Sequence, residues 1–159
     1  MDLENTLYLD LKDGRVEIEL RSDVAPNHVA RIKELTRQKF YDGLVFHRVI
    51  DGFMAQTGDP TGTGSGGSGK KLKAEFSNAH HLRGTLSMAR TNDPNSADSQ
   101  FFIVFQPASH LDGQYTVWGQ VVKGMEFVDK IKKGSSSQNG RVVDPDKIIQ
   151  MRVAADVSK

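Results

Sequence analysis

Residues 6–20 read TLYLDLKDGRVEIEL. Leu7, Leu9 and Leu11 alternate with polar neighbours, and Val16, Ile18 and Leu20 do the same after Lys12-Asp13-Gly14. Two runs of period 2 around an Asp-Gly turn predict a β-hairpin with one apolar face. From this hairpin the chain continues in short strands. We expect them over 44–50 (LVFHRVI), in a short run after Gly52, over 85–90, 101–105, 115–122 and 147–153. Helical spacing occurs twice. Val29, Ile32 and Leu35 follow Pro26, which is tolerated in a first helical turn, and predict a helix over 26–37. Met125, Val128 and Ile131 predict a second helix over 124–133, stopped by Gly134. About eight strands joined mostly by hairpins, with only two helices, argue against a doubly wound parallel sheet. An antiparallel barrel or sandwich with two helices packed on it is the better reading.

The chain has 159 residues, 37% apolar and 26% charged, which suggests a single domain over 1–159. Net charge is +1, so no global field points to nucleic acid or an anionic membrane. There is no cysteine, which removes disulfides, thiolate catalysis and Cys-based zinc sites and fits a reducing cytoplasm. The first twenty residues show no basic region followed by an unbroken apolar run, so no signal peptide is expected. No apolar run approaches the roughly 20 residues of a membrane-spanning helix.

Three familiar chemistries fail on their residues. Gly62-Thr63-Gly64-Ser65-Gly66-Gly67 matches G-x-G-x-x-G, and Gly64 to Lys70 approaches a phosphate loop. Lys71, however, stands where a magnesium-binding hydroxyl belongs, and KLKAEFSN beyond it has no helical period to aim amides at an anion. Residues 60–70 are therefore expected to form a flexible surface loop at the rim of a cleft. His28, His47, His80, His81 and His110 show no metal-ligand spacing on one element, so no metal site is expected. No Ser sits in a nucleophile elbow.

What remains is a set of aromatic, apolar and amide side chains around residues 46–59, FHRVIDGFMAQTGD. Alternation puts Phe46, Arg48 and Ile50 on one face of a strand. Arg48 then either pairs with a carboxylate or lines an apolar cleft. Gln56, and Ser99-Gln100 before the apolar FFIVF, repeat the theme of a polar group at the mouth of an apolar strand.

FHRVIDGFMAQTGD resembles F-H-R-x-I-x-G-F-M-x-Q-x-G-D, the motif of the cyclophilins, which are peptidyl-prolyl cis-trans isomerases. The resemblance continues through Gly64-Ser65-Gly66-Gly67, Leu86-Ser87-Met88-Ala89, Ser99-Gln100-Phe101-Phe102-Ile103, Leu111-Asp112-Gly113 and Val117-Trp118-Gly119, to the helix starting Gly124-Met125. It covers nearly the whole chain, in order. It implies an eight-stranded antiparallel closed β-barrel capped by two helices. It implies an isomerase of X-Pro bonds that assists protein folding as a cytoplasmic monomer. No cofactor is implied. The implied partners are proline-containing peptides and unfolded or folding proteins.

Position by position, the resemblance makes Arg48 the catalytic arginine, with Phe53 and Gln56 beside it. Phe53, Met54, Phe102 and Leu111 would form the proline pocket, with Gln56 on the substrate backbone. Ala89 and Arg90 would lie along the peptide groove, and Gly64 and Gln100 near its neighbouring pocket. Three positions depart from the best-known eukaryotic pattern. His110 stands where a Trp associated with cyclosporin binding is common, which implies weak cyclosporin binding. Tyr115 replaces a His in the pocket and keeps its wall aromatic, and Arg90 replaces an Asn. The LDGQYTVWG stretch and the short loop between Phe76 and Leu86 resemble bacterial cyclophilins.

Overall fold

The computed structural model describes residues 2–157. The predicted hairpin forms from β1 (Thr6–Leu11) and β2 (Gly14–Leu20), with Leu7 opposite Ile18 and Leu9 opposite Val16. Six more strands follow. They are β3 (Arg48–Ile50), β4 (Met54–Thr57), β5 (Thr85–Met88), β6 (Phe101–Val104), β7 (Val117–Lys123) and β8 (Gln150–Val153). All pair antiparallel, in the order β3-β4-β6-β5-β7-β2-β1-β8. The concave side holds the main core, including Leu7, Leu9, Ile18, Ile103, Phe101 and Trp118.

The expected closed barrel is not formed. β3 and β8 stand at opposite edges and share no ladder, so the sheet is a curled half-barrel. The segments leading into them do meet, through the single bridge Val45–Lys147 and the bonds Phe46 N–H to Asp146 O (2.9 Å) and Ile148 N–H to Leu44 O (2.8 Å). They cannot extend into a ladder. Pro145 has no N–H to donate, and Asp144 before it is turned into the left-handed region at φ 53°.

Helix α1 spans Pro26–Arg37, as its spacing predicts, and buries Val29, Ile32 and Leu35. Its first turn has no cap from its own segment. Glu75 supplies one from 47 and 48 positions away, accepting from His28 N–H (2.7 Å) and Asn27 N–H (3.2 Å). A carboxylate suits this end of a helix, where unpaired N–H groups face outward. The second helix is shorter than its spacing suggested. α2 covers Met125–Asp129, because Lys130 N–H and Ile131 N–H bond back three residues to Phe127 O and Val128 O and tighten the chain into a turn. A short α3 (Ala154–Val157) follows β8 and was not anticipated. No helix among the described residues is long and apolar enough to cross a membrane.

Three buried histidines tie stability to pH. His28, His47 and His81 all titrate below the ordinary 6.5, because burial disfavours the imidazolium. An unfolded histidine takes its proton near 6.5, and these take theirs at lower pH. Below about 6.5 the unfolded chain therefore binds more protons than the native one, and stability falls with pH. The melting temperature is expected to hold level from pH 8 to 7 and to drop progressively from 6.5 to 5, where carboxylates remain ionised. A flat profile over that range contradicts this account.

Candidate active site

The sheet carries a second, smaller apolar cluster on its convex face. Alternation along β4 and β6 sends Ala55, Phe101 and Ile103 into the main core and leaves Met54, Phe102 and Val104 on the other side. Register aligns Met54 with Val104 and Gln56 with Phe102. A single 3-10 turn, Ser109–Leu111, lays Leu111 over them, and Phe53, Ala89 and Tyr115 pack around the edge. The result is an open cavity of about 350 Å³ with this apolar cluster as its floor and polar side chains at its rim. Its walls bring together Arg48, Phe53, Met54, Gln56, Ala89, Arg90, Phe102, His110, Leu111 and Tyr115, all residues singled out from the sequence. Tyr115 meets Phe102 edge-on at 5.9 Å, and the exposed His110 ring lies 5.5 Å from Phe53. Gly64 and Gln100 line a neighbouring cavity of about 440 Å³ that shares Gln56, Ala89 and Arg90 with the first.

Arg48 does face this apolar site, but not in company with Phe46. The regular strand begins only at Arg48, so Phe46 and Val49 both enter the main core while Arg48 and Ile50 face outward. Arg48 is paired in register with Gln56. Its guanidinium donates from Nη1 to Gln56 Oε1 (3.1 Å), from Nε to Asn139 O (3.0 Å) and from Nη2 to Asn139 Oδ1 (3.1 Å). Of the two readings left open, the cleft is the right one: no carboxylate among the described residues touches it. Burial lowers its pKa from the usual arginine value, yet a guanidinium remains charged. Gln56 Nε2 donates in turn to Gln100 Oε1 (2.9 Å), and Gln100 Nε2 to Gly64 O and Gly66 O (2.9 Å each). One chain of hydrogen bonds thus runs from Asn139 through Arg48 and Gln56 to the Gly-rich loop.

Asn139 was not foreseen. It sits in the left-handed region at φ 57°, where Asn is tolerated, and precedes Gly140. The Asn139-Gly140 pair was a readable turn signal, but nothing local tied it to Arg48. Nor were His81 and Asp112 singled out. His81 stacks under Phe102 at 6.1 Å, with Nδ1 3.0 Å from Asp112 Oδ1 and Nε2 2.9 Å from Ser87 Oγ. His80 and His81 do not point apart as on a strand, since both rings reach the same carboxylate. The His80 hydrogen bond, then the His81 N–H, hold Asp112 at about 2.

Arg90 is committed to its own wall. It donates to Gln114 O twice and to Thr91 O, and stacks 4.5 Å over the Tyr115 ring. The Gly-rich loop rims the cleft as expected, but it is pinned, not free. Asp59 accepts from the N–H groups of Thr61, Gly64 and Gly66, and Asp98 from those of Ser68 and Gly69. Burial works to raise the pKa of Asp59, yet the Thr61 hydroxyl and these N–H groups outweigh it and hold the carboxyl well below its ordinary range.

Comparison with known proteins points to one family. Residues 6–153 match the family model for the cyclophilin type peptidyl-prolyl cis-trans isomerases. A Brucella suis protein named "Probable peptidyl-prolyl cis-trans isomerase" is 55% identical, over 98% of this chain and 85% of its own. Peptidyl-prolyl cis-trans isomerase B of Bacillus subtilis is 46% identical, over 86% of this chain and 97% of its own. Among solved structures, a Cryptosporidium parvum cyclophilin in the presence of the dipeptide Ala-Pro superposes with a TM-score of 0.85. It is 28% identical, over 93% of this chain and 98% of its own. The protein belongs to the cyclophilin-type peptidyl-prolyl cis-trans isomerase family.

Proposed function

We propose that the convex-face cavity holds the proline ring of an X-Pro segment and that Arg48 stabilises the twisted amide at the prolyl nitrogen. The observation that carries this is the state of Arg48, a charged guanidinium fixed by three bonds to neutral oxygens at the rim of an apolar cavity. Guanidinium has five N–H donors, so two remain for a ligand.

The reaction calls for such a group. Rotation about a peptide bond meets a barrier of ~18–20 kcal/mol, because resonance makes C–N partly double. At X-Pro the isomers differ by only about 0.5–1 kcal/mol. In the twisted transition state the prolyl nitrogen becomes pyramidal and regains a lone pair. An N–H aimed at it bonds more strongly to the twisted amide than to the planar one, which is differential binding. Arg cannot act as a base and needs no proton transfer. Phe53, Met54, Phe102, Leu111, His110 and Tyr115 would grip the ring so that the preceding carbonyl side turns. They also lower the local dielectric around Arg48. Gln56 would hold the flanking backbone, and Ala89, Arg90, Gly64 and Gln100 the chain along the second cavity. The substrates are proline-containing segments of unfolded or folding polypeptides. The likeness to a cyclophilin solved in the presence of Ala-Pro supports this class.

Exchange spectroscopy on an Ala-Pro-containing peptide tests the proposal. Cis–trans exchange is expected to accelerate in proportion to protein concentration. Peptide resonances that shift without added exchange would make the groove a binding module only.

A further inference from the structure

The arginines of this protein divide by location. Every arginine outside the groove meets a carboxylate, from Arg15 with Asp10 at 2.7 Å to Arg152 with Asp42 at 2.9 Å. Among the described residues Arg48, Arg90 and Arg141 meet none, and all three line the groove. Arg48 and Arg90 spend their N–H groups on neutral oxygens. The guanidinium of Arg141 has no hydrogen bond or ion pair with any described residue.

Arg141 lies in a third cavity, about 360 Å³, between the Gly-rich loop and the turn that carries Asn139. No acidic residue lines it. His47 in its wall is nearly fully buried, and burial keeps the ring neutral, so the charge there is that of Arg48 and Arg141. The carboxylate that acts on His47 is Asp59, already occupied by the Gly-rich loop. With a net charge of only +1 on the whole chain, this cation density is local to the groove.

The cavity shares Arg48 and Gln56 with the apolar cavity. Arg141 is bridged to Arg48 across the backbone, and an extended polypeptide advances about 3.3–3.6 Å per residue, so a chain with its proline beside Met54 and Phe102 that continues past Arg48 runs toward Arg141 within a few residues. We propose that Arg141 is a specificity-determining residue, which selects substrates with an acidic side chain one or two residues from the proline. A free guanidinium fork suits a carboxylate, since two parallel N–H bonds fit its oxygens. The inference rests on the isomerase reading above. Because Arg141 is exposed, the gain is that of a solvent-facing ion pair, about two- to fivefold.

The test is a matched set of peptides with Glu, Gln or Lys placed one or two residues to either side of proline. At low ionic strength, kcat/KM is expected to favour Glu over Gln by about two- to fivefold at one of these positions, and Gln over Lys by a similar step. The preference should shrink at high salt, where exposed charges are screened. Arg141→Gln should bring the Glu:Gln ratio to about one, and Arg141→Glu should invert it. Equal turnover of all three peptides at every position, or a Glu preference that survives Arg141→Gln, overturns the proposal. The same ratios measured as Kd by chemical-shift titration judge it independently of turnover. Absence of turnover with every peptide counts against the isomerase reading instead.

Discussion

Arg48→Ala is expected to lower kcat/KM for cis–trans exchange of an X-Pro peptide by about 10²–10³-fold, the usual cost of removing one preorganised donor aimed at a transition state. Peptide affinity should change far less, because Phe53, Met54, Phe102 and Leu111 still form the cavity that takes the ring. The loss should therefore fall on kcat, the mark of an interaction made chiefly in the transition state. The fold should survive. Arg48 is only half-buried, and its partners Gln56 and Asn139 border the open groove, where water can satisfy them. Arg48→Lys should recover little, since an ammonium is a point charge and cannot span Gln56 Oε1 and both Asn139 oxygens as the fork does. Exchange spectroscopy alongside thermal melts decides the matter. An alanine variant within fivefold of wild type would remove Arg48 from the mechanism.

Trp118→Ala is expected to cost about 3–5 kcal/mol of stability, the range for truncating a large buried aromatic. The ring is fully buried and stands edge-on to Phe101 at 5.3 Å, and Phe101 stands edge-on to Tyr41 at 5.4 Å. These rings form the centre of the concave core, so the cavity left behind has little freedom to collapse. For a chain of this size, about 2–4 °C of melting temperature follows each kcal/mol, so a fall of roughly 10 °C is expected. Trp118→Phe should cost less, because the indole N–H has no hydrogen-bond partner to lose among the described residues. Trp118 is the sole tryptophan, so unfolding of these variants is followed by far-ultraviolet circular dichroism. A loss below about 1 kcal/mol for the alanine variant would contradict this view of the core. The ring touches the main core and not the convex cluster. Activity at temperatures where the variant stays folded should therefore remain near wild type.

The two variants probe two faces of one sheet, and these faces were unequally legible. The concave core could be read from periodicity. Leu7, Leu9, Val16 and Ile18 lie where alternation puts them, and α1 has the bounds its spacing predicts. Alternation held for Arg48 and Ile50 but misled at Phe46, because the backbone before Arg48 is irregular and period 2 holds only along a paired strand. Resemblance, not periodicity, picked out Phe53, Met54, Phe102 and Leu111. As an apolar pattern they look like any other core residues, and only the curvature of the sheet leaves them on an open face.

By itself the sequence determined the elements whose information is local: the 6–20 hairpin, helix α1, the short strands, and the presence of an arginine and a glutamine where an apolar strand would not have them. The tertiary structure alone decided what depends on distant partners. It left the sheet open at β3 and β8, where Asp144 and Pro145 prevent a closing ladder. It cut α2 to five residues. It brought Asn139 across 91 positions of chain to hold Arg48, and Glu75 across 47 to cap α1. Side-chain period and turn chemistry act over a few residues and can be read along the chain. Hydrogen bonds between remote segments exist only once the core has placed those segments side by side.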